Sequence, residues 1–202
     1  MTKIKICGLS RPCDIDYVNE AAPDYCGFII DFPESHRNVT PQQVRDLTRN
    51  LAPGIIPVGV LVDQPLEKAA ALLQEGIIAA VQLHGREDEQ YIAALRSRVA
   101  GKPIWKAFRI RVLSDLAAAA ASSADQIILD NGGGSGQSFD WSLTAAISRP
   151  FFLAGGLNPG NLAAAIRQVR PMGVDLSSGV ETDRCKDKQK ILTAVAAARQ
   201  VN

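Results

Sequence analysis

The sequence predicts an α/β protein, a single-domain (β/α)8 TIM barrel spanning residues 1–202, on three observations. Short apolar runs alternate with segments of helical period, and eight such runs can be counted. Most of the runs are rich in Ile, Val or Phe and lack polar alternation, as strands covered on both faces do. The length of 202 residues meets the lower limit of such a barrel, about 200, and the connections are too short for a second domain. An open doubly wound sheet is the competing architecture; it would usually hold about five or six strands and needs a reversal of strand order.

The elements follow in order. Ile4–Ile6 is the first strand and Tyr25–Ile30 the second, after which Thr40-Pro41 resembles an N-cap with proline at the first helical position. Ile56–Val62 leads to Gln64-Pro65, the start of a helix in which Leu66, Ala69, Ala70, Leu72 and Leu73 form one apolar stripe. Ala79–Leu83 is followed by Asp88 and an amphipathic stretch through Arg98. Ile104–Phe108 precedes the alanine-rich Leu113–Ala121, whose ends Ser114, Ser122 and Ser123 weaken as a helix. Gln126–Leu129, Phe151–Ala154 and Gly173–Leu176 complete the strands. The stretch Asp187–Ala198 closes the chain with Ile191, Leu192, Val195 and Ala198 on one face.

Composition narrows the partners. Twenty-two basic residues against twenty-one acidic ones leave a net charge of +1, and five like charges never run together. The electrostatic footprint of a nucleic-acid binder is therefore absent, and the expected partner is a small molecule. Charges interrupt the apolar start Met1–Ile6, and no later segment offers about 18 uninterrupted apolar residues, so neither a signal peptide nor a membrane partner is expected. The expected compartment is the cytoplasm. Cys7, Cys13, Cys26 and Cys185 form no Cys-x-x-Cys pair and are joined by only two histidines, so neither a metal site nor, in a reducing compartment, a disulfide is expected. A cysteine in such a chain is ordinarily a small buried hydrophobe. Monomer and homodimer both stay open.

In a barrel, side chains at the C-terminal strand ends converge on one mouth. The first run ends in Cys7-Gly8, the fourth in His84-Gly85, the sixth in Asp130, the seventh in Gly155-Gly156 and the eighth in Ser177-Ser178-Gly179. A thiol and a carboxyl across one mouth can serve as base and acid. The glycine-rich turns Gly132-Gly133-Gly134-Ser135-Gly136, Gly155-Gly156 and Ser178-Gly179, with a helix N-terminus expected after the eighth strand, can cradle a phosphate through backbone amides, or can simply permit tight turns. No P-loop motif occurs, and Gln137 takes the third glycine position of a dinucleotide fingerprint begun by Gly132 and Gly134.

Taken together, Lys5-Ile6-Cys7-Gly8, Gly27-Phe28 with Ser35-His36-Arg37, Val81-Gln82-Leu83-His84-Gly85, and Asp130 with Gly134-Ser135-Gly136-Gln137-Ser138-Phe139-Asp140-Trp141 resemble the phosphoribosylanthranilate isomerase family. Leu153-Ala154-Gly155-Gly156-Leu157-Asn158-Pro159, Gly173-Val174-Asp175-Leu176-Ser177-Ser178-Gly179-Val180-Glu181 and Lys186-Asp187 continue the likeness in order over essentially the whole chain. The chain departs from the family at His36, where proline is frequent, and at Thr182-Asp183-Arg184-Cys185, where a turn with proline and glycine is usual.

The resemblance implies an isomerase of the aldose–ketose type that carries out an Amadori rearrangement in tryptophan biosynthesis, without metal or organic cofactor. N-(5-phosphoribosyl)anthranilate would become 1-(2-carboxyphenylamino)-1-deoxyribulose 5-phosphate. It assigns the general acid to Asp130 and the base to Cys7. A free aspartic acid titrates near ~3.9 and a free thiol near ~8.5, so burial is expected to raise the first and an electropositive mouth to lower the second.

For the substrate, Arg37 is expected to fork onto the anthranilate carboxylate. Gly134, Gly136, Gly155, Gly156, Ser178 and Gly179 are expected to hold the phosphate. His84 either lines the aromatic end of the substrate or binds backbone at its strand end. His36 is expected to face solvent, Asp175 to lie in the barrel or its wall, Asp140 to cap the helix that follows it with Trp141 packing, and Cys13, Cys26 and Cys185 to be plain packing residues. Two other functions compete: another barrel phosphosugar isomerase or lyase, such as the sister Amadori isomerase of histidine biosynthesis with carboxylates in both catalytic roles, and a non-catalytic sensor of a phosphorylated metabolite. Cys7 stands against the first, and Cys7 with Asp130 against the second.

Overall fold

The computed structural model describes residues 1–130 and 141–201. Its barrel strands are β1 (Lys3–Cys7), β2 (Tyr25–Ile30), β3 (Ile56–Leu61), β4 (Ala80–Leu83), β5 (Ile104–Arg109), β6 (Gln126–Asp130), β7 (Phe152–Leu153) and β8 (Gly173–Leu176). Neighbours pair in parallel around the ring, and β1 pairs with both β2 and β8, which closes it and rules out the open sheet. A two-residue strand, Asn38–Val39, adds to β2.

Helices α1 (Pro12–Ala21), α2 (Pro41–Thr48), α3 (Leu66–Gln74), α4 (Glu89–Arg98), α5 (Asp115–Ala121), α6 (Leu162–Val169) and α7 (Lys188–Gln200) cover the outside. Thr40 caps α2 in a reciprocal box with Gln43, Asp88 caps α4 through the Tyr91 amide, and Asp187 caps α7 through the Lys190 amide. The start of α5 moves from Leu113 to Asp115, because the Asp115 carboxylate accepts from the Arg111 and Val112 amides at 2.7 and 3.1 Å and holds them in a turn. Asp140 lies outside the described residues, and the segment after it is a 3₁₀ helix, Trp141–Ala146. Among the described residues no helix is long and apolar enough to cross a membrane.

Strand alternation sorts the core into two compartments. Ile4, Ile6, Phe28, Val81 and Leu129 point outward into the layer between strands and helices. Val58, Ala80, Trp105, Ile128 and Phe152 point inward and plug the lower barrel. The Trp105 ring lies 4.9 Å from Tyr25 and 4.8 Å from Phe152, centroid to centroid. That plug leaves the inner face above it to polar side chains, and it is there that the strands deliver Lys5, Gln82 and Asp175, all buried.

The departure at residues 182–185 is a hairpin, Glu181–Thr182 against Cys185–Lys186. Its two central residues, Asp183 and Arg184, have φ of 51° and 63°, the left-handed pair of a type I′ turn, and Cys185 is exposed rather than a packing residue. Aspartate tolerates this conformation; arginine gains nothing from it. Arg184→Gly should therefore stabilise the chain by about 0.5–1 kcal/mol, read as a rise in Tm of roughly 1–4 °C with turnover unchanged. A lower Tm would mean that the arginine side chain makes a contribution larger than the backbone strain.

Candidate active site

A cavity of about 280 Å³ opens at the C-terminal mouth, lined by Cys7, Arg37, His84, Asp130, Gly155, Gly156 and Ser178 among others. It brings together the thiol, the carboxyl, the imidazole and the loop arginine that the strand ends single out. A larger groove of about 690 Å³ lies at the opposite end of the barrel, around Met1, Arg167, Arg170 and Met172. Among the described residues that line it there is no acid–base pair.

Cys7 is the last residue of β1 and lies buried at the cavity wall. Burial pushes its thiol up; Lys5 and Lys186 pull it down without overcoming the desolvation, so the expectation of a lowered thiol is corrected. Asp130 closes β6, with its Oδ2 3.7 Å from His84 Nε2. His84 Nδ1 lies 3.0 Å from the Gln82 side-chain amide. With that amide donating, Nδ1 is the acceptor and the Nε2 proton faces Asp130. The crowded mouth desolvates the ring and holds it below the ordinary histidine range, although Asp130 opposes the effect. His84 thus stands beside the Asp130 carboxylate; its ring meets the side chains of Gln82 and Asp130, and its backbone N–H donates to the Leu61 carbonyl at 2.8 Å.

Arg37 reaches the mouth from the loop after β2, but its guanidinium is already engaged. Its Nε and Nη2 donate to the two oxygens of Glu181 at 2.6 and 2.7 Å. Glu181 also takes the Lys186 ammonium at 2.6 Å. His36 is exposed, as expected, with its Nε2 3.7 Å from a Glu181 oxygen.

Gly155 and Gly156 take φ of 87° and 69°, a left-handed pair that side chains rarely adopt, and their N–H groups find no acceptor among the described residues. The Gly156 carbonyl is held instead by the Asn161 side chain at 2.9 Å. Ser178 lines the cavity, whereas Gly179 does not; the Leu157 carbonyl packs where its side chain would stand. The helix N-terminus expected after the eighth strand is a single 3₁₀ turn, Ser178–Val180, and α7 begins only at Lys188. Gly134 and Gly136 lie outside the described residues.

Four charged or polar residues of the site, Lys5, Gln82, Glu181 and Lys186, are absent from the candidates read from the sequence. Two of them could have been found. Lys5 and Gln82 sit two residues before Cys7 and His84, and strand alternation places each on the inner face with its successor. Glu181 and Lys186 depend on the hairpin.

A closed (β/α)8 barrel that gathers a thiol, a carboxyl, an imidazole and glycine amides at its C-terminal mouth defines a barrel enzyme built for acid–base work on a small molecule. The chain belongs to the N-(5'-phosphoribosyl)anthranilate isomerase family, whose model matches residues 4–197. It is 42% identical over 206 residues to the N-(5'-phosphoribosyl)anthranilate isomerase of Endomicrobium trichonymphae, covering 100% of both chains. Among solved structures, it is similar to the phosphoribosyl anthranilate isomerase of Thermotoga maritima, with a TM-score of 0.87 and 33% identity over 99% of this chain and 100% of that one. It is similar also to a phosphoribosyl anthranilate isomerase solved in complex with reduced 1-(o-carboxyphenylamino)-1-deoxyribulose 5-phosphate, with a TM-score of 0.85 and 32% identity over 99% and 100% of the two chains.

The Glu181 cluster has a stability consequence. Burial works to raise the Glu181 carboxyl, but the Arg37 hydrogen bonds and the Lys186 charge outweigh it and hold it at about 2, against 4.5 when free. A carboxyl depressed on folding adds stability above its unfolded value and loses it as pH falls toward the folded one, here between about pH 4.5 and pH 2. Urea unfolding across this window should show Glu181→Gln with a distinctly flatter pH dependence than the parent chain. Parallel curves would show that the cluster is not coupled to folding.

Proposed function

We propose that the mouth performs the family's isomerisation with Cys7 as base and Asp130 as acid. The reaction is the Amadori rearrangement of N-(5-phosphoribosyl)anthranilate, a step of tryptophan biosynthesis. The observation that carries the assignment is that the two groups open into one cavity that also exposes the Gly155 and Gly156 amides. Asp130 protonates the ribose ring oxygen as the ring opens to a protonated Schiff base at C1. That cation acidifies the C2 proton, the Cys7 thiolate removes it, and the enolamine so formed gains a proton at C1 while its C2 hydroxyl loses one, which gives the ketone. Electrons and atoms stay within the substrate, so the chemistry asks only for protons to be moved. A raised thiol is less ionised at neutral pH but a stronger base once ionised, a compromise suited to a carbon acid already activated by the iminium. His84 supports Asp130 through its Nε2 proton. The phosphate is held by the N–H groups of Gly155, Gly156 and Ser178, and the work is done in the cytoplasm.

Fluorescence assays on freshly made substrate test the pair. Cys7→Ala and Asp130→Asn should each lower turnover by at least ~10²-fold while the circular dichroism spectrum is retained. Near-normal turnover in either variant removes that residue from its role.

Arg37 is the partner of the anthranilate carboxylate. Two of its five donors face Glu181, which leaves the Nη1 edge for a second carboxylate. Arg37→Ala should lower kcat/KM by about ten- to a hundredfold on the natural substrate, the worth of a charge-assisted fork. On an analogue without the carboxylate, parent and variant should differ little. An equal loss on both compounds would mean that Arg37 acts through Glu181 alone.

A further inference from the structure

Beneath Cys7 the barrel holds an ammonium group that the chemistry above leaves unused. Lys5 precedes Cys7 by two residues on β1 and shares its inward face. Its side chain is 0% exposed, and its Nζ lies 2.8 Å from Asp175 Oδ2 on the paired strand β8. The other Asp175 oxygen is buried and unpartnered among the described residues, on a residue that lines the cavity. On the opposite side, Gly27 of β2 stands in register with Cys7. A Cβ built on Gly27 would come within 2.7 Å of Cys7 Sγ and 3.1 Å of Lys5 Nζ. The sulfur and the ammonium therefore converge over a position that has no side chain.

A buried ammonium is costly unless each of its donors finds a partner, and Asp175 satisfies one of three. We propose that Lys5 is a positioning residue for Cys7: its ammonium, anchored by Asp175 and given room by Gly27, is the counter-charge that stabilises the thiolate form of the sulfur when it forms beneath the substrate. The proposal rests on the reading of Cys7 as the base. When the thiolate takes the C2 proton it becomes a neutral thiol, and Lys5 keeps its own proton, balanced by Asp175. Burial opposes the Lys5 charge, but Asp175 and Cys7 outweigh it and keep the ammonium above the ordinary lysine range. The other charges bearing on Cys7 are Lys186 from the hairpin and, at the rim of the cavity, the Arg37–Glu181 pair, His84 and Asp130.

Removing Lys5 alone would strand the Asp175 carboxylate in the interior, so the informative comparison is Asp175→Asn against the double variant Lys5→Met with Asp175→Asn. The readout is the pH dependence of Cys7 alkylation by iodoacetamide, followed by mass spectrometry of the Cys7 peptide, with kcat and KM measured alongside. In Asp175→Asn the sulfur is the remaining anionic neighbour of Lys5, so the Cys7 midpoint should fall below that of the parent chain. Adding Lys5→Met should raise it by at least about one unit and slow alkylation at pH 8 about tenfold relative to Asp175→Asn, with kcat reduced and KM within about twofold. Gly27→Ala, in which the pair is intact but the sulfur is displaced, should shift the midpoint in the same upward direction. Coincident alkylation profiles for the single and double variants overturn the proposal. Normal turnover in Cys7→Ala would instead overturn the base assignment, and the alkylation comparison would still decide whether Lys5 sets the state of the sulfur.

Discussion

Strand β1 pairs on both sides, with β2 and with β8, and the site depends on that closure. In a flat sheet, Lys5 and Asp175 would be neighbours on an open face where water could solvate both. In the closed ring the same register puts them inside, above an aromatic plug of Tyr25, Trp105 and Phe152 that excludes water from below. An ion pair in that setting stabilises the fold little against an apolar pair of the same volume, because desolvation offsets most of the attraction. Its retention in the interior makes sense through what lies directly above it, the sulfur of Cys7.

The inner face is therefore graded along the barrel axis. At the bottom it is apolar and well packed; in the middle it carries Lys5, Gln82 and Asp175; at the top it carries Cys7, His84 and Asp130. Lys5 and Gln82 each lie two positions before a mouth residue, on β1 and at the end of β4, so the strand itself aligns the supporting group under the group it supports. Gln82 under His84 repeats the arrangement of Lys5 under Cys7: one orients a ring, the other supplies charge. Fixing groups on strands rather than loops keeps the geometry tight, which proton transfer demands.

Much of this was legible from residue order alone. Apolar runs ending in Cys7, His84, Asp130 and Gly155-Gly156 marked both the strands and the mouth, since burial on two faces leaves an unmistakable apolar signature and strand ends converge by construction. Three features resisted for identifiable reasons. The residue type of Lys5 pointed to solvent, and only its parity with Cys7 could have turned it inward. Glu181, Lys186 and the exposed Cys185 depend on a hairpin whose turn residues, Asp183 and Arg184, lack the usual glycine signal. The helix expected after the eighth strand became a 3₁₀ turn because the chain is diverted into that hairpin before it can coil.

The hairpin also changes how the rim meets an anion. Glu181 is held by Arg37 from one loop and by Lys186 from its own partner strand, and Lys186 further binds the Ser177 carbonyl at 3.0 Å. A lone arginine at the mouth would be mobile and would have to be ordered as substrate bound. Here the guanidinium plane is set in advance by two short bonds to Glu181, so its free edge is presented with little entropy left to lose. The same carboxylate lowers the net positive charge of the rim, which weakens non-specific attraction of anions while a carboxylate of the right shape can still fork onto the remaining donors. What this end of the cavity holds is thus a pre-formed pair of opposite charges rather than a bare cation.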